Sequence, residues 1–553
     1  MRKTAIIIIL LLLVPTILAE DQIIINSDDW RDVYSGMLYG SLSSIPTSFL
    51  VSDKHSSLIL GTIPGDTSIR AISSRTSPFM VGYESLLTNR GYEAVEDIYE
   101  NANLALAEEL ELTNFIVVDD SYGYNAISVA PYAVISNSYV LFVDRTNIRD
   151  VDSYLTDQNV ENLLIYGHVD RVVRDTLEKY NPETINKEGD RFANNIEIVK
   201  KYQQVKTAKQ AILTNGEFIE KEIMSGVEPV IFIGANNVPD QVREYVQSSD
   251  IDIGILIGNE LVGTATYIRR NVGLSVFVKF AQGARAPEGA ISQVEALDMF
   301  YLPVYTTNIA LDSMRYNSAT KQLEVNIKNT EDLAVYFKGT YTLKAADGTE
   351  QTVGDIDAIF LDGNELKTVV YDIEPMVEGT IIADAYIIYG ESKGSMEKVL
   401  DITMEILTVN VLDNCNIDLN SLEYDKRQRN FLIGIENLGT VDCYVDTEIL
   451  DLVVDGIPSS YGADEIIQID AGKTKKQKIK VRLTDEDIEE NEIVTVRAYF
   501  GEREESLVRI KQKDFEMKLA GLDYVFYSLL LIIVILLFLI IWKRRKKKKD
   551  EDD

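Results

Sequence analysis

The sequence predicts a multidomain chain: three small α/β repeats with parallel sheets, then two all-β sandwiches, then one membrane-spanning helix. Three observations predict it. Short apolar runs alternate with polar, helix-starting clusters three times between about residues 22 and 282. The hydrophobic period changes to two after about residue 305. Residues 524–542 carry no charge, and as a helix they would be roughly 28 Å long, close to the ~30 Å hydrocarbon core of a bilayer.

The first element is a leader. Arg2 and Lys3 precede an apolar run over residues 4–13, and Pro15-Thr16-Ile17-Leu18-Ala19 follows. A positive start, a short apolar stretch and a small residue at the cut describe a signal peptide over residues 1–19. The run is short for a span, so an uncleaved anchor is the lesser reading.

The repeats come next, at 20–108, 109–207 and 208–290, with a linker at 291–304. Each opens with an apolar strand that runs into polar residues: Ile23-Ile24-Ile25-Asn26-Ser27-Asp28-Asp29, Phe115-Ile116-Val117-Val118-Asp119-Asp120, and Ala211-Ile212-Leu213-Thr214-Asn215-Gly216. Such polar residues satisfy the free N–H groups of a following helix, so Asp28 and Asp29 read as caps rather than metal ligands. A second strand recurs around Phe49, Val140 and Ile231, each unbroken and apolar as in a parallel strand buried on both faces. Ile148, Val151, Tyr154 and Leu155 then recur at helical spacing, as do Val238, Val242, Tyr245 and Val246. A third strand ends on Gly82, Gly167 and Gly258. A closing helix is expected through Val95, Ile98, Ala102 and Ala105 in the first repeat, and through Ile196, Val199 and Tyr202 in the second. Strand–helix alternation with short connections gives a small Rossmann-like three-layer unit.

The order of signals resembles the cell wall-binding repeat 2 family. The second repeat matches best, with Gly167-His168 at the family's Gly-Gly turn and Gly189-Asp190-Arg191-Phe192-Ala193-Asn194-Asn195 at its closing motif. Asp32 and Pro46 of the first repeat match the family's Asp and Pro; its closing stretch departs, reading Gly91-Tyr92-Glu93-Ala94-Val95-Glu96-Asp97, and the third reads Gly273-Leu274-Ser275-Val276-Phe277. The resemblance implies three copies around a pseudo-threefold axis. In bacterial members it implies attachment to an anionic wall polymer; related repeats in archaeal surface proteins with C-terminal spans are the nearer likeness.

The back half reads as two immunoglobulin-like domains, 305–408 and 409–516, loosely similar to the CARDB type. Leu323, Val325 and Ile327 alternate with polar residues, and Asp347-Gly348 and Gly363-Asn364 mark turns. The pattern repeats: 431–437 echoes 323–329, and 498–502 echoes 385–391. Cys415 and Cys443 are the two cysteines. In an exported protein they are a disulfide candidate, the alternative being two separate buried thiols. After the span, a tail over 543–553 opens with seven cations. A basic cluster beside a span marks the cytoplasmic side, and Tyr524, Trp542, Lys543, Arg544 and Arg545 are the expected interface anchors.

Charge narrows the partners. The whole chain is formally −34; with +3 from the tail and +2 from the leader, the part between carries about −39. That argues against nucleic acid or anionic polymers as partners and fits a solvated surface layer, a salty medium or diffuse cation binding alike. No Asn-x-Ser/Thr signal occurs. Only His55 and His168 exist, without metal-ligand spacing, and no nucleophile elbow, phosphate loop or Gly-x-Gly-x-x-Gly turn is present. The run Asp485-Glu486-Asp487-Ile488-Glu489-Glu490 reads as a solvated loop; Ca2+ is the one ion it could attract, although its spacing matches no calcium loop. No enzyme and no cofactor are expected. The expected partners are other copies of the chain, the lipid bilayer and, for an adhesin-type reading, surface glycans.

Overall fold

The computed structural model describes residues 21–121, 123–258, 261–279, 298–303, 306–376, 379–520, 532–536 and 539. The chain divides into two units. One is Met1–Tyr305 with Ser392–Val399; the other is Thr306–Glu391 with Leu400–Asp553.

The first unit holds three small parallel α/β sheets of identical strand order. In the first, β1 (Gln22–Asn26), β2 (Thr47–Phe49), β3 (Ser68–Ser74) and β4 (Glu93–Tyr99) lie in the order β2-β1-β3-β4. In the second, β5 (Asn114–Val118), β6 (Ser138–Phe142), β7 (Asn162–Tyr166) and β8 (Glu183–Ile185) lie in the order β6-β5-β7-β8. In the third, β9 (Gln210–Thr214) is followed by β10 (Phe218–Glu220), β11 (Val230–Phe232), β12 (Ile253–Ile257) and β13 (Ser275–Lys279), and the sheet order is β11-β9-β12-β13. All pairings inside these sheets are parallel. The opening strand of each repeat lies inside its sheet, and in the first repeat packing covers both of its faces: Ile23, Ile24 and Ile25 are wholly buried. One apolar core runs through all three repeats, from Ile23 to Leu302.

Several elements differ from the sequence reading. Residues 79–82 do not form the third strand of repeat 1; that strand is β3, and Gly82, in the left-handed region at φ 68°, starts the helix Tyr83–Asn89. Val95 and Ile98 are not on a helix. They sit on β4 with their side chains about half exposed, and the closing helix is only Ala102–Glu108. Each repeat has a fourth strand, at the edge of its sheet, that the sequence reading lacks. In repeat 3, Asn215 and Gly216 start no helix; β10 follows instead and pairs antiparallel with β14 (Met299–Tyr301). The stretch read as a linker, 291–304, therefore contributes a strand to the core. The acidic run at 485–490 is a helix rather than a loop, opened by a capping box between Thr484 and Asp487.

The second unit is mostly β, with two cores. Its first part contains β15 (Ile309–Asn317), β16 (Gln322–Asn329), β17 (Val335–Ala345), β18 (Glu350–Gly354), β19 (Ile359–Leu361), β20 (Leu366–Asp372), β21 (Ile381–Gly390) and β22 (Lys398–Val409). The last of these lies between β21 and β15 and joins both layers into one sheet. In the second part, β23 (Ile417–Asp425), β24 (Asn430–Asn437) and β28 (Thr474–Lys480) form one sheet. It faces a second sheet of β25 (Cys443–Val454), β26 (Ile457–Gly462), β27 (Ile467–Ile469), β29 (Ile493–Gly501) and β30 (Arg509–Glu516).

The two parts repeat each other in detail. β15 and β23 each shift register near their start, at Leu311/Ser313 and at Leu419/Ser421. β16 and β24 each end on a wholly buried asparagine. Asn329 donates to Leu333 O at 2.7 Å and Asp362 O at 3.0 Å; Asn437 donates to Val441 O at 2.8 Å and Ile469 O at 2.9 Å. The amide closes the turn in both cases.

No helix among the described residues is long and apolar enough to cross a membrane. The expected span at 524–542 falls mostly outside them; within it, residues 532–536 and Leu539 are helical and exposed. The leader, and the anchors Tyr524, Trp542, Lys543, Arg544 and Arg545, also lie outside the described residues.

Candidate functional site

Two fully engaged buried polar groups of the first unit lie where one repeat meets the next. β6 and β11 are edge strands, so part of their backbone has no strand partner. The preceding repeat supplies one. Asn103, in the closing helix of repeat 1, donates to Ser35 Oγ and Val140 O, both at 2.9 Å, and accepts from the Phe142 N–H at 3.0 Å. Asn195, in the closing helix Arg191–Val205 of repeat 2, donates to Ser128 Oγ at 2.8 Å and Val230 O at 3.0 Å, and accepts from the Phe232 N–H at 2.8 Å. Both amides are buried and have their donors and acceptor engaged. The contact between repeats 3 and 1 is built differently: Ser41 donates to Met224 O at 2.8 Å, and Phe49 meets Phe300 edge to face at 6.1 Å.

A crevice of about 220 Å³ opens beside the first junction, at the carboxyl ends of β1, β4, β5 and β6. This is the edge of a parallel sheet where ligands usually dock. Its walls are acidic, yet Asp29, Asp32, Asp120 and Asp144 serve the chain itself. Asp29 caps the helix Trp30–Ser43, accepting from the Arg31 N–H at 2.9 Å. The Arg31 guanidinium bridges Asp29 and Asp120, both at 2.7 Å. Burial alone would raise the Asp29 carboxyl; the side-chain and backbone bonds from Arg31 outweigh it and hold the group below the usual carboxylate value. Asp32 accepts from Ser27 Oγ at 2.9 Å and from the Ala102 N–H at 3.1 Å, and burial pushes it up. Asp144 accepts from the N–H groups of Thr146 and Asn147 at 2.8 and 3.0 Å. These carboxylates sit in caps, turns and ion pairs, and the crevice lining includes neither histidine nor cysteine. Among the described residues no group of three His, Cys, Asp or Glu side chains is placed to hold a metal ion.

The closing motif that carried the family resemblance has definite structural work. Asp190 caps its helix by accepting from the N–H groups of Phe192 and Ala193 at 2.8 and 3.0 Å. Arg191 is buried beside the rings of Tyr124 and Phe192 and pairs with Glu397 at 2.8 Å. Glu397 lies in Ser392–Val399, the late segment that belongs to the first unit. Nothing near position 397 signals this partner in the sequence; a buried arginine in a helix's first turn is the only hint that a carboxylate must come from elsewhere.

The remaining sequence candidates fall in the second unit. Cys415 and Cys443 are bonded, with Cα atoms 5.5 Å apart. Asp487 of the acidic run is buried and bound to the Thr484 N–H at 2.7 Å and the Asp455 N–H at 2.8 Å, so it faces the protein rather than solvent.

No family model matches the chain, and no curated protein does. Among solved structures it is similar to red sea bream transglutaminase at 9% identity, covering 39% of this chain and 32% of that one with a TM-score of 0.14. It is also similar to an Escherichia coli alpha-2-macroglobulin activated by porcine elastase, at 12% identity, 43% and 24% coverage and TM-score 0.14. The periplasmic chaperone SfaE matches at 14% identity over 38% of this chain and all of its own length, with TM-score 0.13. The chain thus spans about a third or less of the first two neighbours, and at these scores the likeness carries no argument about function.

Proposed function

We propose that this chain is a structural protein of the cell surface, of archaeal surface-layer type, held in the cytoplasmic membrane by its C-terminal helix. It acts mechanically and sterically, as a building block of an outer coat that associates with further copies of itself. The leader, the uncharged stretch and the basic tail support the topology. The observation that carries the reading is the serial construction: three like sheets joined at two junctions by the same buried amide, followed by two like immunoglobulin-like sandwiches. In such a chain the buried polar groups hold one module against the next.

A membrane-anchored adhesin or surface glycan receptor is the second reading. The crevice at the strand ends beside Arg31 favours it, since its position suits a ligand even though Asp29, Asp32, Asp120 and Asp144 serve the chain.

Imaging of native envelopes tests the choice. A regular two-dimensional array that contains this chain is expected; scarce, scattered copies would sink the coat and favour the receptor. For topology, protease added to intact cells should remove everything ahead of the span and leave the basic tail protected.

A further inference from the structure

On the outward face of β16 and β20, Glu324, Asn326 and, opposite Asn326, Thr368 are buried, and so is Lys367, which lies opposite Ile327 on the other face at the start of β20. What covers them is the second sandwich. Ser506 Oγ donates to Glu324 at 3.4 Å, and the Gly462 N–H donates to Asp362 at 3.2 Å. A Cβ at Gly462 would stand 2.6 Å from that Asp362 oxygen, so the Asp362 side chain packs directly on the Gly462 backbone. The centre of the contact is ionic. Lys367 Nζ reaches Glu448 of the second sandwich at 2.6 Å, Glu365 at 3.1 Å and Phe360 O at 2.7 Å, and it lies 4.5 Å from the centre of the Tyr499 ring. The other Glu448 oxygen accepts from Tyr499 Oη at 3.1 Å and from Arg497 at 3.4 Å. Asp446, two residues before Glu448 on β25, points to the same face. Its residue surface is partly exposed, but its Oδ1 is shut off from solvent and has no hydrogen-bond partner.

Three carboxylates, Glu365, Asp446 and Glu448, thus face two cations, Lys367 and Arg497. An uncompensated buried charge is costly, and a proton is the cheapest way to remove it. Glu448 is bound by Lys367, Arg497 and Tyr499, and Glu365 by Lys367 and the Asp362 N–H at 2.6 Å. Asp446 is left for the proton.

We propose that the junction of the two sandwiches is a proton-dependent lock, in which Lys367 clamps the second sandwich through Glu448 while the Asp446 carboxyl stays protonated. Burial and the neighbouring Glu365 carboxylate raise the Asp446 carboxyl well above its ordinary value, against the smaller opposing pull of Lys367. The native state therefore holds a proton that the unfolded chain releases near 3.8. The stabilisation is whole below that value and is lost as pH rises through the native one. Alkaline conditions loosen the lock; mild acid tightens it.

Spin labels at Thr340→Cys and Lys478→Cys, exposed positions on β17 and β28, report the junction in the full chain by pulsed dipolar spectroscopy. At pH 5 one narrow distance distribution is expected, and at pH 9 a broad one. D446N, of the same shape and without charge, should stay narrow at both, and K367M should be broad at both. A wild-type distribution equally narrow at pH 5 and pH 9 would overturn the proton dependence. One that is broad for wild type and D446N at both values would overturn the lock.

Discussion

The two units join their modules by opposite chemistry. In the first, Asn103 and Asn195 bind the next repeat's edge strand through neutral amides with each polar atom engaged. In the second, Lys367 and Glu448 bind the two sandwiches through buried charge. A neutral lock loses only its hydrogen bonds when broken and does not respond to pH. A buried ionic lock leaves an orphaned charge when one side goes, so it is brittle to mutation and responds to protons.

The largest expected effect follows from that difference. Lys367→Ala strands Glu448 and Glu365 without their shared cation, and removing one side of a buried pair costs about 3–5 kcal/mol. Denaturant unfolding of the second unit should show it. The double variant Lys367→Met with Glu448→Leu should recover much of the loss, since apolar replacement of both partners is often neutral or better. If the single and double variants were equally destabilised, shape rather than charge would hold the junction.

Next comes the cystine, which staples only the second of the two like sandwiches. Cys443→Ser opens a loop with a sequence separation of 28, worth about 3–4 kcal/mol on the chain-entropy model. Hydrogen exchange should rise across β23 to β30 and stay unchanged in β15 to β21. Equal loosening of both sandwiches would mean that they unfold as one.

Asn195→Ala should cost about 1–3 kcal/mol, the price of leaving Val230 O and the Phe232 N–H unpaired in a buried edge. Asn103→Ala should cost about the same, because the partners and distances repeat. The effect should be flat between pH 5 and 9, in contrast to the Lys367 junction. A pH-dependent Asn195→Ala would break the division between the two chemistries.

The sequence carries some of these features openly and hides others. The tripled order of strands is legible because the opening and second strands are unbroken apolar runs such as Ile23-Ile24-Ile25 and Tyr139-Val140-Leu141. β4 is hidden: Val95, Ile98, Ala102 and Ala105 happen to fall at helical spacing, while the strand's own Val95 and Ile98 point partly to solvent. The Asn103 lock is hidden because an asparagine in a helix's first turn reads as a cap, and Asn101 beside it is one. The Lys367 junction is hidden most completely. Glu324 sits at an outward position of β16 and Lys367 at a core-side position at the start of β20, and only tertiary packing buries their charged ends.

The smallest effect separates two caps that look alike. Asp190 accepts two backbone N–H bonds and faces its helix N-terminus with a charge, so Asp190→Ala should cost about 1 kcal/mol. Asn101 accepts one, from the Asn103 N–H at 3.0 Å, while Asp32 takes the neighbouring Ala102 N–H at 3.1 Å. Asn101→Ala should therefore cost less than Asp190→Ala, because Asp32 goes on serving the helix start from another element. The thermal midpoint of each variant checks the order. Reversal would mean that Asp32 is held by the crevice and by Ser27 rather than by the helix, and that the first closing helix depends on Asn101 alone.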